Sequence, residues 1–372
     1  SNGRTVREYL YNSGLEEFQS APVSIESAHL ISTPTDTAVI SSFPNRTEQF
    51  YFFVNDDGTI AVYSVQRAQK IAGWVSWNTT GDYESIACTT NNMYVSVKRT
   101  INSATVYYLE QISSTVYDIP TDMTCTKTLS ASYQPHGSPL TNGTTSSSTG
   151  FIADGFTNAP QVGEKFKFAG TGTEYTINAA TATGVSGEYN ITINAAVSTT
   201  NNVELRFTFS KTWSGLNSAP DMRGLTVYGT SGTTEGGNIN YYGDGVVTSG
   251  GVVVLDSVAS AIDIGINYTL EIDTLPVDSV VEISGGKSPL TAYPRKIAKA
   301  VVEMSNSYNA QVNSNDVIIT TVSDLNNADT IASFTGKKTV FFLGYSDEPN
   351  MTITQSVPLP LRILAITSEI YY

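Results

Sequence analysis

Short runs in which apolar and polar residues alternate recur along most of the chain, separated by clusters of Gly, Asn, Asp, Ser and Thr. Alternation with a period of two sends one face of a strand to a core and the other to solvent, so the pattern predicts strands rather than helices. The clearest run lies between Lys70 and Ile112. It reads as four strands, Gly73–Trp77, Tyr83–Cys88, Met93–Arg99 and Thr105–Gln111, with turns at Thr79–Asp82, Thr89–Asn92 and Thr100–Ser103. Strands at this spacing form an antiparallel meander, the repeating unit of propellers and barrels. Ahead of it, Gln49–Val54 and Thr59–Val65 flank Asn55-Asp56-Asp57-Gly58, the signal of a hairpin. Residues 45–112 therefore read as one propeller blade and most of another. Trp74 and Trp77 are three apart, so on a strand they face opposite ways, one toward a core and the other toward the surface or an interface.

Elsewhere the pattern is sparser. Ser24 follows Pro22 and precedes Glu26, which predicts one short helix running to about Leu30 and carrying His29 as a packed or capping residue. His136-Gly137-Ser138-Pro139 and Thr141–Gly150 read as a polar, flexible connector with His136 exposed. Lys165–Phe168, Glu174–Ala179, Glu188–Asn194 and Val203–Phe209 are the strands expected of a small β module. Beyond it, Val246–Leu255 reads as a hairpin across Ser249-Gly250-Gly251, and Arg295–Met304 and Leu359–Ile366 as strands. The expected fold class is all-β. Propeller-like antiparallel blades occupy 1–130, a polar linker 131–150, an inserted β module 151–212, and a resumed β domain with C-terminal strands 213–372.

Composition agrees with this. Hydrophobic residues make up 40% of the 372 and charged residues 15%, a balance that Thr, Ser, Asn, Gly, Val and Tyr give to β-rich chains with many turns. No apolar run approaches the roughly 20 residues of a membrane-spanning helix. Ser1-Asn2-Gly3-Arg4 has neither a signal pattern nor an initiator Met, so the chain is expected to begin inside a longer reading frame or behind a cloning remnant.

Charge narrows the partners. Twenty basic residues against thirty-four acidic ones give a formal net charge of −14. Tight nucleic-acid binding needs clustered Lys and Arg. Only Lys98-Arg99, Arg295-Lys296 with Lys299, and Lys337-Lys338 qualify, and each is small enough to be a solvated face. An acidic wall can still pass DNA, because like charge keeps the polymer from adhering.

Candidate chemistry is thin. His29 and His136 have no Cys, Asp or Glu at metal-ligand spacing, so neither a metal nor any other cofactor is expected. Cys88 and Cys125 are too few for a disulfide framework, and Cys88 reads as a small buried hydrophobe. The acid pairs Glu16-Glu17, Asp56-Asp57 and Asp347-Glu348 would point to opposite faces of a strand, and a turn accounts for the second. Gly229–Gly245 lacks the lysine and the strand–loop–helix context of a phosphate loop and reads as a long turn-rich loop. The doublets Tyr107-Tyr108, Tyr241-Tyr242 and Tyr371-Tyr372 suit interface packing, with sugar stacking as the other use. Asn-x-Ser/Thr triplets at Asn45, Asn78, Asn142, Asn190, Asn267 and Asn350 are expected by chance in so Asn- and Thr-rich a chain, and would stay bare in bacterial cytoplasm. No catalytic residues are nominated, and the chain is expected not to be an enzyme.

The phrase Ala72-Gly73-Trp74-Val75-Ser76-Trp77, then Gly81 to Ala87, then Met93 to Glu110, resembles the nozzle (tail tubular protein B) family of T7-like short-tailed bacteriophages. Further matching phrases follow in order: Gly215-Leu216 with Met222–Tyr228, then Gly265, Tyr268 and Thr274-Leu275-Pro276, then Leu359–Ile366. Val357 departs from the family's usual Asp. Residues 162–177 and 187–197 resemble a short β domain inserted in many phage tail proteins. The likeness covers roughly 4–130 and 213–372. It implies a virion structural protein assembled in the host bacterial cytoplasm. Its copies would form a ring, six-fold in the family, around the DNA exit channel, meeting the phage adaptor and tail fibre proteins and touching DNA only in transit. The alternative function is a receptor- or glycan-binding β module of a tail or cell surface.

Overall fold

The computed structural model describes residues 5–14, 16–41, 48–90, 92–112, 121–231, 239–276, 280–283, 286–289, 294–317 and 333–371. The protein is all-β, 61% strand and 2% helical. It divides into two compact units, Ser1–Ile119 and Pro120–Tyr372. Asn45, Tyr372, residues 1–4 and the 232–238 part of the glycine-rich stretch lie outside the described residues.

The first unit opens with a hairpin of β1 (Arg7–Asn12) and β2 (Glu17–Pro22). Next, β3 (Pro34–Ile40), β4 (Gln49–Asn55), β5 (Ile60–Gln66) and β6 (Ile71–Trp77) form a four-stranded antiparallel sheet in chain order. A three-stranded sheet follows, of β7 (Asp82–Cys88), β8 (Met93–Ile101) and β9 (Ala104–Ile112). The sheets share one core. Ile40, Phe52, Val54, Ile60 and Val62 come from the first, and Tyr83, Ile86, Met93, Val95 and Val97 from the second. β7 lies against β3 and β4.

Turn chemistry sets the registers. Asn102 and Ser103, both left-handed (φ 48° and 65°), close the two-residue turn between β8 and β9. Such turns carry the twist of the strands they join. Between β4 and β5, Asp57 Oδ1 accepts from the Thr59 N–H at 3.0 Å and the Thr59 hydroxyl at 2.6 Å.

The helix expected after Ser24 is absent from this unit. Only a 3-10 turn, Ala28–Leu30, occupies the segment. The Ser24 hydroxyl is buried and accepts from the Val6 N–H at 2.9 Å, so it tethers the β1 end instead of capping. A stretch as short as Ser24–Leu30 gives too few hydrogen bonds to offset helix nucleation. His29 is exposed rather than packed.

Trp74 and Trp77 do face opposite ways. Trp77 packs on Phe52 of the core at 5.5 Å between ring centroids. Trp74 stacks on Tyr63 at 4.8 Å on the outer face and donates its indole N–H to the Val23 carbonyl at 2.8 Å. Both are half-buried, so neither is simply a core or a surface residue.

In the second unit, residues 131–150 are not a linker. They hold β11 (Leu140–Asn142) and the start of β12 (Thr145–Asp154), after β10 (Asp122–Thr128). Then come β13 (Lys165–Phe168), β14 (Glu174–Ala182), β15 (Tyr189–Thr199), β16 (Leu205–Trp213), β17 (Thr226–Ser231), β18 (Asn240–Val246) and β19 (Val253–Ala259), and all of β11 to β19 except β17 and β18 build a seven-stranded sheet. Its order is β11-β12-β15-β14-β13-β16-β19. The sheet curls until Leu140 bridges Glu204, where the Thr141 N–H donates to the Val203 carbonyl at 2.9 Å and the Leu205 N–H to the Pro139 carbonyl at 2.8 Å. Phe151, Phe166, Ile177, Ile191, Leu205 and Phe207 fill the curl.

β17 and β18 join β20 (Ala261–Ile266) and β10 in a second sheet, ordered β10-β20-β17-β18. The described ends of the glycine stretch expected as a long loop are therefore these two paired strands, and its middle lies outside the described residues. Gly229 answers to close packing: a Cβ there would lie 2.5 Å from both Ile262 Cδ1 and Leu255 Cδ1. Val246–Leu255 turns the chain, but β18 pairs with β17 and β19 with β16, so it is not a hairpin ladder.

The remaining strands are β21 (Leu270–Asp273), β22 (Val280–Ile283), β23 (Gly286–Pro289), β24 (Lys296–Ser307), β25 (Gln311–Val312), β26 (Asn315–Asp316), β27 (Phe334–Phe341), β28 (Thr352–Gln355) and β29 (Ile363–Tyr371). Three antiparallel sheets result, β27-β24-β29, β21-β28-β25-β26 and β22-β23. Ala300, Val302, Met304, Val312 and Ile353 form the core of the first two. β29 starts at Ile363, later than expected, because Leu359 is already buried against Tyr308 and Ile239.

Candidate functional site

The densest cluster of reactive side chains lies at one end of the curled sheet. His136 and Glu164 are each fully buried, with Nε2 and Oε2 2.9 Å apart. His136 Nδ1 is 3.0 Å from the Asn158 carbonyl, and the ring packs on Phe207 at 4.4 Å. Glu164 Oε1 accepts the Ser210 hydroxyl at 2.6 Å and the N–H groups of Lys211 at 2.9 Å and Thr212 at 3.2 Å; Oε2 accepts the Gln161 N–H at 2.8 Å. Burial raises the Glu164 carboxyl, but the His136 hydrogen bond and charge, with the Gln161 and Ser210 donors, outweigh it and hold the carboxyl below its ordinary value.

Ser, His and Glu together suggest a nucleophile and base, yet the geometry does not. Ser210 donates to the carboxylate, not to the imidazole, and all three side chains are shut off from solvent. The cluster is a peg that fixes residues 134–139 on the end of the sheet. His136, expected to be exposed, is its centre. Its partner stands 28 positions away by chain number, so no local spacing could announce it.

The cationic clusters are also partly spent inside. Arg99 was expected on a solvated face, but it is 2% exposed and bidentate to Glu110 at 2.8 Å through both Nε and Nη2. Its Nη1 donates to the Thr79 hydroxyl at 3.0 Å and the Thr80 carbonyl at 2.6 Å. Arg295 is likewise buried, and its Nη2 donates to the Asp347 carbonyl at 2.6 Å. Lys98 pairs with Asp82, Lys299 with Glu369 and Lys337 with Glu303, while Lys338 sits over the Phe334 ring. A guanidinium held in the interior is out of reach of a phosphate.

The other singled-out residues stay apart. Cys88 and Cys125 are free and half-buried, and burial raises the Cys88 thiol. Asp56 accepts from the Ser32 hydroxyl at 2.9 Å. Tyr107 is exposed beside half-buried Tyr108; Tyr242 is buried beside half-buried Tyr241. Tyr241's hydroxyl is pushed well above its ordinary value, by burial first and then by Asp244. Among the described residues no three His, Cys, Asp or Glu side chains gather as a metal site. Nor, among them, is any helix long and apolar enough to cross a membrane.

What the surface does offer is apolar. Tyr9, Tyr11 and Phe18 are exposed on the β1–β2 hairpin, with the Tyr11 and Phe18 rings edge-to-face at 5.3 Å. Ile71 and Val75 on β6, and Tyr107 and Leu109 on β9, are exposed as well. A shallow hollow of about 340 Å³, lined by Phe168, Tyr175, Val197 and Val203 among others, lies on the curled sheet. No family model matches the chain, and no curated protein is significantly similar to it.

Proposed function

We propose that the chain is a structural component of a short-tailed phage tail, one subunit of the nozzle ring around the DNA exit channel and a docking surface for fibres. One observation carries this reading. The phrase that resembles the nozzle family, Ala72 to Glu110, falls on four successive strands, β6 at the edge of the first sheet and β7 to β9 as the second, so its residues belong to two sheets that share one core rather than to scattered places. The two facing sheets of the first unit serve, in this reading, as neighbouring propeller-like blades. Electrostatics supports it too. A net charge of −14, with Arg99 and Arg295 committed internally, suits a bore that DNA crosses without adhering. The ring is homo-oligomeric, six-fold by the resemblance, and is assembled in the host cytoplasm before joining the adaptor.

The glycan- or receptor-binding alternative draws on the exposed aromatics of the β1–β2 hairpin. Tyr11 and Phe18 meet at 61°, which makes an edge contact and not the flat platform on which a sugar stacks. Immunogold labelling of short-tailed particles with antibodies to this chain tests the preferred reading. Label at the tail vertex is expected; absence of the chain from purified virions would overturn it.

A further inference from the structure

The first unit ends in two sheet edges without the features that usually protect an edge. β6 closes the four-stranded sheet and β9 the three-stranded one, and among the described residues neither carries a further strand. Exposed edges are normally blunted by lysine, proline, a bulge or an unpaired charge. β6, Ile-Ala-Gly-Trp-Val-Ser-Trp, has no charge and no proline, and pairs with β5 without a bulge. β9 runs nine residues against β8 without a bulge, and its one charge, Glu110, is neutralised by Arg99.

The side chains beside these edges are apolar. Ile71 is 57% exposed and Val75 48%, on the same face of β6 as Gly73. Open space surrounds the position that a Cβ of Gly73 would take. On β9, Tyr107 is 63% exposed and Leu109 79%. A bare ladder of N–H and C=O groups selects another β-strand as its occupant.

We propose that β9 of one copy of this chain adds antiparallel to β6 of the next, with Tyr107 opposite Gly73. The register follows from the residues. It sets Leu109 opposite Ile71 and Thr105 opposite Val75, so the exposed side chains of the two edges meet on one face. The Tyr107 ring covers the glycine, a cross-strand arrangement that stabilises edge glycines. A one-residue slip would turn Leu109 and Tyr107 to the face opposite Ile71 and Val75. Pairing of β9 with itself about Tyr108 would set Glu110 against Val106 and leave β6 bare. Because the giving and receiving edges differ, the contact is heterologous, the kind that closes rings. The inference rests on the proposal that copies of this chain associate head to tail.

Paired cysteines test it, in the full chain carrying Cys88→Ser and Cys125→Ser. A copy with Tyr107→Cys mixed with a copy with Gly73→Cys should give a disulfide-linked dimer under mild oxidation. Neither copy alone should, nor Tyr107→Cys mixed with Val39→Cys, which places the thiol on exposed β3. Independently, Val75→Lys with Leu109→Lys should weaken association by about tenfold or more, as guarded edges do, with circular dichroism and melting unchanged. A chain that stays monomeric up to its solubility limit overturns the proposal. So does a cross-link from Tyr107→Cys alone as strong as from the mixture. Rings that form without the 73–107 cross-link and ignore the lysine pair would remove this interface and leave the ring reading standing. A cross-link in a chain absent from virions would keep the interface and remove the phage-tail reading.

Discussion

Glu164 and His136 meet at 2.9 Å with neither side chain open to solvent, and three backbone N–H groups and the Ser210 hydroxyl converge on the same carboxylate. The Asn158 carbonyl can only accept, so His136 Nδ1 carries a hydrogen and fixes the ring's orientation. One side chain thus collects donors from residues 136, 161 and 210–212. Truncating it strands all of them in the interior. Glu164→Ala should destabilise the second unit by about 3–5 kcal/mol, the usual cost of breaking a buried pair from one side. Urea unfolding of variant and parent checks this; a loss under about 1 kcal/mol, the range of an exposed pair, would show that the cluster is not the peg described.

The same carboxyl makes an acid-side prediction. Its pKa in the folded chain lies below its ordinary value of 4.5. An acid depressed by folding adds stability that is complete above its unfolded value and is lost as pH falls through the folded one. Stability of the second unit should therefore be level above about pH 5 as far as this group is concerned, and decline below about pH 4.5. Glu164→Gln should be less stable at neutral pH and show a shallower acid decline. Melting temperatures taken across pH 3–7 for both proteins would reveal an unchanged slope, and so refute the assignment.

The two tryptophans on β6 should respond differently to substitution. Trp77→Ala removes a ring packed on Phe52 and should cost about 3 kcal/mol, the low end for truncating a core aromatic because Trp77 is only half-buried. Trp74→Phe keeps the stack on Tyr63 but loses the hydrogen bond to Val23, worth about 1 kcal/mol. Its mark should be local: faster proteolysis within residues 16–30, with global unfolding little changed. Equal global losses for both would contradict the two-face geometry.

Residues 134–209 should be removable as a block. The Tyr133 hydroxyl lies 3.0 Å from the Ser214 nitrogen, and the Tyr133 and Trp213 rings stack at 6.4 Å, so the flanking chain already comes together there. Joining the ends by a short Gly/Ser link should leave the remainder folding cooperatively, since loop length changes closure cost by only about 0.6 kcal/mol per doubling. Cutting at 151 instead leaves β11 without its partners Ile152–Asp154 and His136 without Glu164 and Phe207. That variant should aggregate. Equal solubility and cooperativity of the two deletions would argue against the boundary at 134.

DNA should bind weakly. With net charge −14 and two arginines buried, filter binding at about 150 mM salt should give roughly 10⁻⁴ M or poorer, the non-specific range. Sub-micromolar, salt-sensitive binding would replace passive passage by an active grip.

The strand content was legible because period-two alternation and turn residues are local signals. β4 to β9 and β13 all lie within a few residues of their expected ranges, and Asp57 and Asn102-Ser103 place their turns by side-chain and backbone preference alone. Opposite facing of Trp74 and Trp77 also follows from spacing on a strand. Tertiary structure alone decided the rest. Whether Ser24 caps a helix or tethers Val6 depends on a hydrogen-bond partner 18 residues away, and whether His136 is exposed depends on Asn158 and Glu164 arriving from the connection after β12 and Phe207 from β16. Gly229 reads as loop chemistry until Ile262 and Leu255 close on it, and Arg99 as a surface cation until Glu110 folds back beside it. Alternation specifies which face of a strand is apolar; it carries no information about which distant strand covers that face, and burial, charge neutralisation and edge exposure all depend on that second fact.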